Sequence, residues 1–150
     1  MKLIASNKKA SHEYFFLESF ECGIVLTGTE IKSIRAGKIS IADSYCRVKG
    51  GEMFVINMNI AKYAYGNIFN HEELRERKLL LRKHEIIKLG QRQKIDGLTL
   101  VPTKVYLKEG LCKVEIALAK GKKQYDKRAV QKEADSKRRI QKAMKNVNLD

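Results

Sequence analysis

The chain has 150 residues, 43% of them apolar, which suits one domain able to bury a core without disulfides or a structural metal. Its 31 Lys and Arg outnumber 17 Asp and Glu, for a net charge of +14 and a pI near 9.8. A balance this basic points to a polyanionic partner, nucleic acid ahead of anionic membrane.

Tyr14 to Phe20 is rich in aromatics and predicts a strand, and Gly23-Ile24-Val25-Leu26 a short buried one. Thr27 and Glu30 have capping-box spacing, Ile31 and Ile34 share the helix face that follows, and Gly37 ends it. Gly50-Gly51 marks a hairpin turn. Met53 to Ile60 alternates, which predicts a strand with Phe54, Ile56, Met58 and Ile60 on one face. Leu79-Leu80-Leu81 reads as a core strand bracketed by Arg75-Glu76-Arg77-Lys78 and Arg82-Lys83. A second helix is expected over Lys83 to Ile95, carrying Ile86 and Leu89, with Gly97 after its end and Gly90 weakening it. Leu98 to Leu107 is another strand, in which Pro102 signals an edge or a bulge. Glu109-Gly110 turns it into a half-buried strand that points Cys112, Val114, Ile116 and Leu118 inward.

Short strands at hairpin spacing with inserted helices predict a mainly β fold closed into a small barrel over residues 1–119. Among small barrels that bind RNA the oligonucleotide-binding (OB) type is expected, although periodicity alone does not separate it from an SH3-like barrel. Residues 120–150 read differently. Eleven basic residues fall between Lys120 and Lys145 against three acidic ones, and the apolar residues thin to a feeble stripe. Such a segment is helix-capable but not stable alone, so it is expected to be disordered until phosphates neutralise it.

Catalytic signatures are missing. Neither Gly37-Lys38 nor Gly121-Lys122 belongs to a P-loop, the three His form no HExxH, and no nucleophile elbow occurs. No enzyme activity, cofactor or metal is expected. Cys22, Cys46 and Cys112 form no CxxC pair and read as core thiols. No apolar run has the length of a signal peptide or a membrane span, so a cytoplasmic monomer without membrane attachment is expected. The chemistry that does appear suits RNA. Around Asn7, Lys8 and Lys9 reach for phosphate, while His12 and Tyr14 can stack on unpaired bases. Arg77 and Lys78, flanking the leucine run, are expected to present phosphate contacts from the end of their strand.

Five blocks carry a closer likeness. They are Asn7 to Phe15, Phe20 to Lys38, Asp43-Ser44-Tyr45, Arg77 to Leu81, and Ala119 to Arg128. In that order, from about Asn7 to Asn146, the chain resembles the SsrA-binding protein family, SmpB. The resemblance implies an OB-type barrel with added helices, plus a C-terminal tail that is disordered when free and helical on the ribosome. It implies binding to the tRNA-like domain of transfer-messenger RNA (tmRNA), which is delivered with elongation factor Tu to 70S ribosomes stalled without a stop codon. The barrel stands in for a missing anticodon arm, and the tail probes the empty mRNA channel. On this resemblance Asn7, Glu21 and Leu80 match tmRNA-binding positions, with His12 and Tyr14 beside them. Gly121, Lys122, Lys123, Asp126, Lys127 and Arg128 match the tail's functional residues, Tyr125 the aromatic offered to the decoding centre, and Met144 the tail's end. Composition alone leaves open a generic ribosomal or ribosome-assembly RNA-binding protein.

Overall fold

Two tight turns set the frame. Gly50 and Gly51 both have positive φ (60° and 77°), as do Glu109 and Gly110 (53° and 78°), the backbone that a two-residue hairpin of matching twist requires. The computed structural model describes residues 1–65 and 70–122. In chain order these form β1 (Lys2–Ser6), α1 (Lys8–Glu13), β2 (Tyr14–Ile24), α2 (Gly28–Arg35), β3 (Ile39–Ser40), β4 (Tyr45–Lys49) and β5 (Glu52–Ile56). β6 (Asn59–Ile60), β7 (Arg77–Leu80), α3 (Lys83–Ile95), β8 (Thr99–Lys108) and β9 (Leu111–Gly121) follow. The fold is mainly β with a few helices.

The glycine turns join β4 to β5 and β8 to β9, each antiparallel up to the turn. From there the pairing closes on itself: β8 meets β4, β4 pairs β5, β5 pairs β7, β7 pairs β2, β2 pairs β9, and β9 returns to β8. β1 lies along the far half of β8, Lys2 opposite Leu107 and Ser6 opposite Lys104. β3 and β6 form a separate two-stranded sheet. Pro102 sits where the β8–β9 register shifts, so of the two readings of that proline the bulge is realised.

Cys22, Cys46, Met53, Val55, Leu79, Leu100, Val114, Ile116 and Leu118 fill the ring. The two longer helices close its ends. α2 begins on the capping box between Thr27 and Glu30 and drives Ile34 into the core near the start of β7. α3 follows the end of β7 and sends in Ile86 and Leu89. It reaches from Val48 on β4 to Glu18 on β2, strands on opposite sides of the ring. Gly90 is where it comes closest to β4: a Cβ there would lie 3.4 Å from Val48. The glycine thus serves packing, and the helix runs unbroken over the expected span. Among the described residues no helix is long and apolar enough to cross a membrane.

Two expectations are revised, and two elements are new. Gly23 to Leu26 is not a separate buried strand; β2 runs continuously to Ile24 and Val25 is exposed. Met53 to Ile60 is not one strand of constant parity. Met53 and Val55 face the core, and Phe54 and Ile56 are only half-buried. Asn57 then adopts φ of 61°, a left-handed conformation that asparagine tolerates, and resets the alternation so that Met58 and Ile60 are buried. Finally, β1 and the six-residue α1 had no periodic signal, because their residues are mostly polar or exposed.

Candidate nucleic-acid interface

Asn7 makes α1. Its Oδ1 accepts the Ala10 N–H (3.0 Å), capping the helix, and its Nδ2 donates to the Ile41 and Pro102 carbonyls at 2.9 Å each. The backbone N–H of Asn7 donates to the Thr103 carbonyl. One buried side chain thus ties α1 to the turn before β4 and to the bulge of β8. Ala10 and Tyr14 pack on Val101 and Ala119, so α1 lies against β8 and β9. Lys8, Lys9 and His12 are exposed on it. Lys9 Nζ meets Asp43 at 2.6 Å, and that hydrogen bond and charge raise the lysine's pKa.

β9 ends beside this helix. Lys120 and Gly121 still pair with Phe15 and Tyr14, carrying the strand past residue 119. The Lys122 N–H donates to the Glu13 carbonyl (2.8 Å), and its Nζ lies 4.9 Å from the centre of the Phe15 ring and 3.2 Å from the Ser11 carbonyl. The root of the expected tail is therefore fixed against α1. Lys123, Tyr125, Asp126, Lys127, Arg128 and Met144 lie outside the described residues.

Strand alternation builds the rest of the face. Cys22, Leu79, Val105 and Val114 point into the ring. Their neighbours Glu21 and Gly23, Lys78 and Leu80, Lys104 and Tyr106, and Lys113 and Glu115 therefore face out. Glu21 stands where a carboxylate is unexpected for RNA. Its Oε1 accepts the Tyr106 O–H (2.7 Å) and lies 3.7 Å from Lys108 Nζ. The Tyr106 hydrogen bond, then Lys108 and Lys113, hold this carboxyl below its ordinary range. Burial and the same bond push the Tyr106 phenol up. Leu80 covers Gly23, where a Cβ would approach within 3.3 Å, yet stays 51% exposed. A cleft of about 350 Å³ lined by Lys8, Ser11, Phe16, Ser19, Lys104 and Glu115 connects α1 to this face. Asn7, Lys8, Tyr14, Glu21, Lys78 and Leu80 thus share one side of the molecule. Lys104, Tyr106, Lys108 and Lys113 join them; the outward positions of the two alternating strands were the signal that could have named them.

Arg77 is a correction. Expected at a phosphate, it is fully buried. Its Nε donates to Glu30 Oε2, Nη1 to the Met58 carbonyl, and Nη2 to the Glu72 and Glu73 carbonyls. Arg75 donates to the other Glu30 oxygen at 2.6 Å. Burial alone would push the Glu30 carboxyl up, but the bonds from Arg75, the Thr27 N–H and Arg77 outweigh it and hold it down at about 2. Glu30 is therefore both capping-box residue and counter-ion, and Arg77 knits the interior while Lys78, next along, faces out and pairs with Glu52. Among the described residues no group of three or more His, Cys, Asp or Glu is placed to hold a metal.

The family model described as SmpB protein matches residues 4–146. An SsrA-binding protein of Bacillus cereus is 56% identical over 144 residues, covering 96% of this chain and 93% of that relative. One from Shouchella clausii is 56% identical over 145 residues, covering 96% and 92%. Among solved structures, a chain described under "tmRNA-SmpB: a journey to the center of the bacterial ribosome" matches with a TM-score of 0.67 and 46% identity, over 80% of this chain and 85% of that one. Matched along nearly its whole length by one family model and by relatives more than half identical to it, the chain belongs to the SmpB protein family.

Proposed function

We propose that this chain is a non-catalytic adaptor that binds the tRNA-like domain of tmRNA and carries it to stalled ribosomes. The observation that carries the reading is the single outward face running from α1 to Leu80. Residues distant in the chain come together there, setting lysines on one face with exposed apolar side chains such as Leu80 and Phe16. Lysines supply phosphate contacts that do not depend on sequence; Tyr14, Leu80 and Glu21 supply shape and base-edge contacts that do. The names of the relatives and of the structural neighbour support tmRNA as the partner. The closed strand ring with α3 across one end supports an OB-type barrel, and the anchored strand end at Lys122 supports a tail leaving beside the RNA face. In this reading the tail enters the mRNA channel only when it is empty, elongation factor Tu is met through tmRNA, and the protein acts as a monomer in the cytoplasm.

The test is a titration of the full chain against tmRNA and ordinary tRNA at several salt concentrations. Both affinities fall steeply with salt as counterions are released. A preference for tmRNA that persists at every salt supports the adaptor. Coincident curves would leave a generic RNA-binding protein of the ribosome or its assembly.

A further inference from the structure

Asp43-Ser44-Tyr45 lies outside the face just described, although α1 touches it. Between α1 and the turn before β4 lies a second cleft, of about 240 Å³, lined by Lys9, Glu13, Tyr14, Asp43, Tyr45 and Thr99 among others. It is smaller than the few hundred to a thousand Å³ that encloses a drug-sized ligand, and is suited to a single flat ring. Its walls are rigid where they must be. Ser44 Oγ donates to the Ile41 carbonyl (2.6 Å), and the same carbonyl accepts from Asn7. Its open parts are the ones that recognise bases. Tyr45 is exposed and Tyr14 half-buried, and among the described residues neither phenol has a hydrogen-bond partner. Asp43 Oδ1 accepts from Lys9 Nζ, and among the described residues Oδ2 at the rim has no partner.

We propose that this cleft takes one unpaired nucleobase bearing an exocyclic amino group. Tyr45, with Tyr14, offers the stacking surface; Asp43 Oδ2 accepts from the amino group; Lys9 holds the carboxylate and lies within reach of the nucleotide's phosphate. Uracil, which has no exocyclic amino group, is the disfavoured base. Asn7 is then a positioning residue. Its side chain is only 4% exposed and all three of its bonds are internal, so it acts on RNA by holding the helix, the turn and β8 as the walls of the cleft.

The inference rests on the RNA-binding reading, and two measurements keep the two apart. In the first, nucleoside monophosphates are titrated into the full isotope-labelled chain and amide shifts are followed by NMR. Saturable shifts confined to residues 9–14, 42–45 and 99–101, stronger for CMP, AMP and GMP than for UMP, are expected. Shifts spread over surface lysines and equal for all four would overturn the proposal. In the second, Tyr45→Leu and Asp43→Asn are titrated with tmRNA, with Tyr45→Phe as control. The leucine variant loses about tenfold in affinity or more, the size of one lost base stack, while the phenylalanine variant keeps it. The asparagine variant loses its preference for amino-bearing monophosphates. Full tmRNA affinity in Tyr45→Leu sinks the cleft but leaves the adaptor standing. A wild-type chain that prefers no RNA sinks the adaptor, and the monophosphate titration still decides the cleft.

Discussion

Replacing Glu30 by Gln tests whether Arg77 belongs to the interior. The glutamine keeps the shape and one acceptor but removes the only carboxylate that, among the described residues, pairs with Arg77, a guanidinium with no exposed surface. Breaking a buried pair from one side costs about 3–5 kcal/mol, because the remaining charge stays buried. Linkage gives a second measure. The folded carboxyl titrates at about 2 against an ordinary value of 4.5. At about 1.4 kcal/mol per unit, the ionised form favours the folded state by about 3 kcal/mol. This stability is complete above pH 4.5 and is lost as pH falls toward 2. Urea unfolding of the full chain at pH 7 should show the midpoint fall by roughly 2 M, for a slope of about 1.5–2 kcal/mol/M. Between pH 5 and 2 the variant should lose stability less steeply than the wild type. Arg77→Met should also be destabilised, since the Met58 carbonyl loses the Arg77 donor, while the Glu72 and Glu73 carbonyls keep only the Arg75 and Ile60 N–H groups. A midpoint change worth less than about 1 kcal/mol, the value of an exposed pair, together with an unchanged acid profile, would refute the buried network. So would an Arg77→Gln chain of undiminished stability whose tmRNA binding is weakened, since that is the behaviour of a phosphate contact.

Other residues separate stability from binding. Asn7→Ala loses a helix cap and the donor to the Pro102 carbonyl, while the Ile41 carbonyl keeps Ser44, so unfolding should become easier by about 2 kcal/mol and tmRNA affinity should fall with it. Lys113→Gln should leave thermal stability within about 0.5 kcal/mol but reduce the slope of log affinity against log salt by about one. Glu21→Gln keeps an acceptor for Tyr106 but releases Lys108, and tmRNA affinity should drop severalfold; an unchanged titration would remove Glu21 from the interface. Deleting residues 127–150 should preserve tmRNA binding and abolish productive delivery of tmRNA to stalled ribosomes in a reconstituted translation assay.

The predicted elements that proved accurate share one property: a local cause strong enough to act alone. Thr27 and Glu30 cap α2, Gly50-Gly51 and Glu109-Gly110 turn the hairpins, and β9 buries Val114, Ile116 and Leu118 as the sequence alternation expects. The failures come from causes that alternation does not register. Asn57 resets parity by a single left-handed residue, so a pattern that looked continuous hid a break. Gly90 looked like a helix weakness because Val48, the neighbour that gives it a purpose, lies far away in sequence. α1 is short and polar, and it exists because Asn7 finds Ile41 and Pro102, contacts that no window of sequence contains.

The same distinction governs the RNA face. A lysine's charge is legible wherever it stands, but its direction is not. Arg77 and Lys78 are neighbours of like charge, and strand geometry sends one inward to Glu30 and the other outward to Glu52. Flanking the leucine run, both are expected at phosphate; only the register separates them. Resemblance to a family names positions without assigning the manner in which they act. The resemblance leads one to expect both Leu80 and Asn7 at tmRNA-binding positions, yet one is half exposed and the other is sealed by three internal bonds. A buried asparagine can matter to RNA only through what it holds in place. Its loss should therefore weaken binding and folding together, whereas loss of Leu80 should weaken binding alone.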